Sequence, residues 1–289
     1  MMSMDSGFAT SGNEWVDALH TFSGLRFKGE DEKALAVIEE LVEKAEALKA
    51  QDIYVEDDYT EYHSFYEMFE LVLYNAVFEP KKIVQNTGSI PMAEIYASYG
   101  NVLIELGRYD EAQMALGTAR VWNPTNCKIL FEYAETFKLQ GDMARFRELT
   151  MEAFKLAFKQ EDIARCNRNL GHYFITQKKW EEALGCFMMS LAYDESSNAA
   201  QSEIAFIQEQ TNGATKEPSF ERFEAIAEEN GFPVGFDKDV LAMAYAIAEQ
   251  AKDAEEYAAA LYYMNIVYDL TQDDDIKVQC NALANSVNF

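Results

Sequence analysis

Residues 93–126 carry side-chain sizes at fixed offsets that a close-packed helical hairpin explains: AEIYASYGNVLIELGRYDEAQMALGTARVWNPTN. Counting Ala93 as position 1, bulky residues fall at positions 4, 7 and 11 (Tyr96, Tyr99, Leu103) and small ones at 8, 20 and 27 (Gly100, Ala112, Ala119). Gly107 stands at position 15, Tyr109 at 17, Leu116 at 24 and Pro124 at 32. Small residues let two helices approach and large ones fill the remaining space. Gly107 breaks the chain between the helices, and Pro124, which cannot donate to a preceding turn, ends the second.

The pattern returns. Thirty-four residues on, Ala134 matches Gly100, Phe137 matches Leu103, Gly141 matches Gly107 and Ala153 matches Ala119. Met143 replaces the tyrosine, and Phe146 stands where an alanine is usual, so this copy is degenerate. A third copy begins near Ala164, displaced by an insertion of three residues around 159–162, with Leu170, Gly171, Phe174, Trp180, Ala183, Phe187 and Ser190 at the matching positions. A fourth, divergent copy is expected at about 241–274, carried by Tyr257, Ala260, Met264 and Val267, with Ala248 as its small residue.

A 34-residue period with these side chains resembles the tetratricopeptide repeat (TPR), and the chain is similar to uncharacterised bacterial TPR proteins of its length. The resemblance implies an all-α fold, an α-solenoid of antiparallel helix pairs forming a superhelix, here with divergent helical caps at both ends. It also implies a concave groove lined by the first helix of each repeat at positions 2, 5, 6, 9, 12 and 13. Carried onto this sequence, the groove candidates are Asn101 from the first repeat, Lys128, Phe131 and Lys138 from the second, and Arg165, Arg168, Asn169 and His172 from the third. Arginine forks suit carboxylates, and asparagine can bond an extended peptide backbone. Some TPR co-chaperones grip a C-terminal carboxylate with five clamp residues. Asn101 and Arg165 match that pattern, whereas Ala97, Glu132 and Asn169 depart from it, so the clamp is not carried over. Pairing of Arg165 and Arg168 with Glu132 and Glu135 is the alternative to ligand binding.

Elsewhere the apolar spacing is also helical. Residues 30–51 show it at Ala34, Val37, Ile38, Leu41, Val42, Ala45 and Leu48, with 13–27 as partner helix beyond Gly29. Residues 59–78 read as a further helix through Tyr62, Phe65, Phe69, Leu73 and Val77, stopping at Pro80. No window shows sustained period-two alternation. The expected organisation is a disordered tail over 1–12, a divergent helical region over 13–90, repeats over 91–210 (93–126, 127–160, 164–197, then a continuing helix), and C-terminal helices over 211–289.

Charge narrows the partners. The net charge of −26 is uneven: residues 1–119 hold 22 acids and 8 bases, 120–180 hold 7 and 11, and 181–289 hold 21 and 5. An acidic majority argues against nucleic acid, whose phosphates call for a broad cationic surface. No leader-like segment and no apolar run of about eighteen residues is present, so a cytoplasmic location without membrane insertion is expected. Cys127, Cys166, Cys186 and Cys280 are scattered, as core thiols are. His20, His63 and His172 lack a helical metal-ligand partner, and the run from Asp273 to Asp275 fits a helix N-cap better than a calcium loop. No metal, cofactor or catalytic set is expected. The leading expectation is a non-enzymatic scaffold or adaptor binding a protein or peptide, including an acidic or C-terminal carboxylate segment. The alternatives are a chaperone or peptide sensor, and an enzyme lodged around 54–66 or 232–239. Partner identity and oligomeric state are not set by the sequence.

Overall fold

The computed structural model describes residues 13–287, so the expected tail over 1–12 lies outside the described residues. The chain divides into two compact units, 1–140 and 141–289. Among the described residues the fold is all-α apart from one pair of four-residue strands, and each unit is built in solenoid fashion from helix hairpins laid side by side.

The first unit runs α1 (Glu14–Phe27), α2 (Asp31–Lys49), β1 (Thr60–His63), α3 (Met68–Phe78), β2 (Ile83–Asn86), α4 (Met92–Glu105), α5 (Tyr109–Trp122) and α6 (Cys127–Leu139). Helices α1, α2, α4 and α5 share one core, in which Trp15, Ile38, Leu41, Met92, Ile95, Leu103 and Ala112 are buried. The α4–α5 hairpin follows the size pattern of its sequence. A Cβ on Gly100 would lie 2.4 Å from Leu116 Cγ, so position 8 must be bare for position 24 to fit. Gly107 turns the chain with φ +73°, a conformation that costs glycine little.

Residues 59–78 are not one helix, which corrects the reading from apolar spacing. β1 and β2 pair in parallel, Thr60 opposite Ile83 and His63 opposite Asn86, with α3 as the crossover. Local hydrogen bonds decide this. Asp57 Oδ1 accepts from the amides of Tyr59 and Thr60, both at 2.7 Å, and bends the chain into the strand. Glu70 Oε2 then accepts from the amides of Tyr66 (2.6 Å) and Glu67 (3.2 Å), so the helix starts only at Met68. Ser64 N donates to the Trp122 carbonyl at 2.8 Å and docks the strand pair on the end of α5.

The second unit comprises α7 (Met143–Phe154), α8 (Gln160–Thr176), α9 (Trp180–Tyr193), α10 (Asn198–Gln210), α11 (Phe220–Asn230), α12 (Lys238–Asp253), α13 (Tyr257–Thr271) and α14 (Asp274–Val287). The α8–α9 hairpin repeats the crossing seen in the first unit, Gly171 lying under the Phe187 ring. Asp273 Oδ1 accepts from the amides of Asp275 (2.8 Å) and Ile276 (3.3 Å) and so caps α14, the role expected of that acidic run.

All four cysteines are buried free thiols. Burial pushes the thiols of Cys166 and Cys186 well above their ordinary value, which suppresses the reactive thiolate. In the folded protein at pH 8, fewer than about one thiol equivalent is expected to react with an aromatic disulfide reagent within minutes, and all four after denaturation. Fast reaction of Cys166 or Cys186, mapped by mass spectrometry, would contradict this burial.

Candidate functional site

The first-helix residues of the repeats fall in both units, and each set has its own surroundings. In the first unit, Asn101 on α4 is already engaged: its Oδ1 accepts from Arg26 Nη2 of α1 at 3.0 Å. Arg26 also pairs with Asp31 and lies 3.5 Å from Glu105 Oε1, so the face of α4 beside Asn101 is bound to the preceding hairpin. Lys128 sits exposed in the first turn of α6, whose amide end is capped by Asn126 Oδ1 accepting from Ile129 N at 3.0 Å. Lys138 pairs with Glu135 one turn back at 2.7 Å. Phe131 is only 4% exposed, which corrects its assignment to the groove: its ring is a core residue.

In the second unit, Arg165, Arg168, Asn169 and His172 stand together on α8, Arg165 and Asn169 bonded to each other and Arg168 and His172 held by partners of their own. Asn169 is 3% exposed, its amide donating to Thr150 Oγ1 (3.4 Å) and its oxygen accepting from Arg165 Nε (3.3 Å). Asn169 thus joins α7 to α8 instead of presenting an amide to a ligand, which corrects that assignment too. Arg168 reaches the other way. Its Nη1 donates to Ser190 Oγ of α9 (3.1 Å) and Ser197 Oγ (3.3 Å) and lies 3.5 Å from Asp194 Oδ2. Burial, and after it the Arg165 charge, lower its pKa, with Asp194 opposing. Ser197 is also the N-cap of α10, so Arg168 ties three helices at one point. His172 meets the Phe187 ring edge-on at 5.5 Å, with Nδ1 3.8 Å from Glu203 Oε1 on α10.

The repeat register therefore places these residues on first helices but does not tell which of their side chains are accessible. Lys128, Lys138, Arg165 and His172 remain exposed or half-buried, whereas Phe131 and Asn169 are interior and Arg168 is a polar strut. Sequence reasoning missed Thr150, Ser190 and Ser197, the small hydroxyl residues that hold this set. Ser190 occupies the usual small position 27, a signal of size that says nothing about its hydrogen bond. No cluster of three or more His, Cys, Asp or Glu residues that could hold a metal ion occurs among the described residues. None of their helices is long and apolar enough to cross a membrane.

No protein-family model matches the sequence, and no curated protein does. Solved structures similar to it include PilF of Pseudomonas aeruginosa, at 15% identity over 92% of this chain and 95% of that one, with a TM-score of 0.46. A tetratricopeptide repeat protein of Parabacteroides merdae aligns at 10% identity over 95% of this chain and 86% of its own, also at 0.46. The thermophilic TPR protein TTC0263 of Thermus thermophilus aligns at 15% identity over 68% and 100%, at 0.36. The residues themselves carry the resemblance: the 34-residue register and the hairpin crossings at Gly100–Leu116 and Gly171–Phe187 coincide. By repeat period and by helix packing, this chain is an α-solenoid of helix hairpins that resembles tetratricopeptide repeat proteins.

Proposed function

We propose that the chain is a non-enzymatic scaffold of the cytoplasm that presents the first helices of its repeats to a protein or peptide partner. The observation behind this reading is the distribution of charge over those helices. Residues 120–180 hold 11 bases against 7 acids in a chain of net charge −26, and Lys128 and Arg165 lie on first-helix faces within that stretch. Cationic first-helix faces in an acidic molecule, one on each unit, favour an acidic segment or a C-terminal carboxylate and steer it toward them. Arg168 contributes to the field while being held by Ser190, Ser197 and Asp194, so it is not the residue to probe.

Charge reversal at Lys128→Glu with Arg165→Glu is expected to weaken capture of partners from lysate by about tenfold or more, roughly 1.4 kcal/mol. A photo-crosslinking residue at exposed Leu139, a first-helix position, should trap the same partner, and one at Met114 on α5 should not. Equal capture by the charge-reversed protein, or crosslinks from Met114 alone, would remove the first-helix faces from the function.

A further inference from the structure

The strand pair inserted before the first well-formed repeat builds a cleft that the repeat pattern does not call for. The cleft is about 250 Å³ and lies between β1, α3 and the C-terminal end of α5, all within the first unit. Its walls are aromatic and acidic. Tyr54 and Tyr62 stand with ring centroids 5.6 Å apart, and Tyr54 is fixed by its hydroxyl donating to the Thr87 carbonyl at 2.9 Å. Tyr74 closes a further side and donates to Glu61 Oε1 at 2.8 Å, while Trp122 contributes the end of α5.

Glu61 is the unusual member. Its side chain is only 14% exposed, and no Lys or Arg nitrogen among the described residues lies within ion-pair distance of it. The nearby Lys82 is committed to Glu56, at 2.6 Å. His63 Nε2 is 3.6 Å from Glu61 Oε1, beyond a hydrogen bond but within ion-pair reach when the imidazole is protonated. A largely buried carboxylate with no Lys or Arg partner is costly, and such groups are normally paired with one.

Two independent features point the same way. His63 lines the cleft at 8% exposure, stacked on Phe65 and tilted against Tyr74, and its Nδ1 has no hydrogen-bond partner. An orphaned buried nitrogen marks a polar cluster that is incomplete as folded. The cleft also sits at the carbonyl end of α5, where the helix dipole is negative, within a segment (residues 52–86) holding eight acids and two bases. Carboxylate, dipole end and aromatic faces all favour positive charge, and caged rings bind cations through their negative faces.

We propose that this cleft binds one alkyl cation, an ammonium or a guanidinium, bonded by Glu61 and caged by Tyr54, Tyr62, Tyr74 and Trp122. The ligand is a basic side chain of a peptide or a free amine, since both carry the same head group on the same kind of stem. Glu61 takes the N–H bond. The site is separate from the first-helix faces and stands or falls without them.

The test titrates the full chain by calorimetry and by amide NMR with four probes: acetylated, amidated Gly-Lys-Gly and Gly-Arg-Gly, the citrulline counterpart, and agmatine. Saturable binding of a lysine or arginine peptide or of agmatine, with the Trp122 indole signal moving and the citrulline peptide silent, is the expected result. Tighter binding of the peptides assigns a protein partner, and agmatine alone assigns a free amine. Glu61→Gln retains an oxygen for the Tyr74 hydroxyl and is expected to weaken binding at least about tenfold. Tyr62→Leu, which leaves the carboxylate in place, should weaken it about threefold to tenfold. Absence of saturation by any cation, equal binding of citrulline, or wild-type affinity in both variants overturns the proposal.

Discussion

Glu70→Ala is expected to lower the stability of the first unit by about 3–4 kcal/mol, read as a fall in the urea midpoint at unchanged slope. The carboxylate is 2% exposed and accepts from four donors: the amides of Tyr66 (2.6 Å) and Glu67 (3.2 Å), Asn123 Nδ2 (2.9 Å) and Asn126 Nδ2 (2.6 Å). Its own carbonyl accepts from Thr125 Oγ1 at 3.1 Å. One side chain thus starts α3 and pins the turn between α5 and α6, where Asn123 is fully buried. Alanine leaves two asparagine amides and two backbone N–H groups without their acceptor in the interior, and each orphaned donor costs about 1–3 kcal/mol before relaxation. The sum exceeds the expected loss because water and side-chain movement recover part of it, and such terms do not add. Glu70→Gln keeps one acceptor oxygen and should lose about half as much. A midpoint shift worth less than about 1 kcal/mol for the alanine variant would show that the turn does not depend on this carboxylate.

The same residue shows why part of the fold was legible and part was not. Position 8 against position 24 is a local relation, one helix and a short turn apart, so a single sequence displays it: Gly100 with Leu116, Gly171 with Phe187. The strand pair is a different kind of object. Each strand is four residues long, too short for alternation to register, and β1 meets a partner that begins twenty-three residues later, at Ile83. The late start of α3 within 59–78 is set by Glu70, which Asn123 and Asn126 hold in place across more than fifty residues. The burial and pairing of the candidate groove residues were illegible for a related reason. A register rule states which way a helical position points, but not what stands there to meet it. Asn169 meets Thr150, and Arg168 meets Ser190 and Ser197. Phe131 is buried. The cleft at Glu61 escaped notice because its members come from Tyr54, β1, α3 and the last turn of α5.

Gly171→Ala is expected to destabilise the second unit by about 2 kcal/mol, although alanine is the better helix former by about 1 kcal/mol. A Cβ on Gly171 would stand 2.6 Å from Phe187 Cζ and 2.7 and 2.9 Å from its Cε atoms, well inside carbon–carbon contact at about 3.5–4.0 Å. Phe187 is fully buried and cannot swing into solvent, so the helices must part or the ring must leave its rotamer. Gly117 on α5 is the control, because a Cβ there meets nothing nearer than 3.8 Å and the backbone is helical. Gly117→Ala should raise stability by about 0.5–1 kcal/mol. The same exchange is thus expected to carry opposite signs at two helical glycines, and only a difference in helix approach accounts for that. Phe187→Leu should itself cost about 1–2 kcal/mol, yet removing the ring tip makes room for the new methyl group. In the double variant the two losses should therefore add to less than their sum, by about 1 kcal/mol. Strict additivity in thermal or urea unfolding would mean that the ring and the glycine do not meet, and that the close crossing inferred from position 8 does not hold the α8–α9 hairpin together.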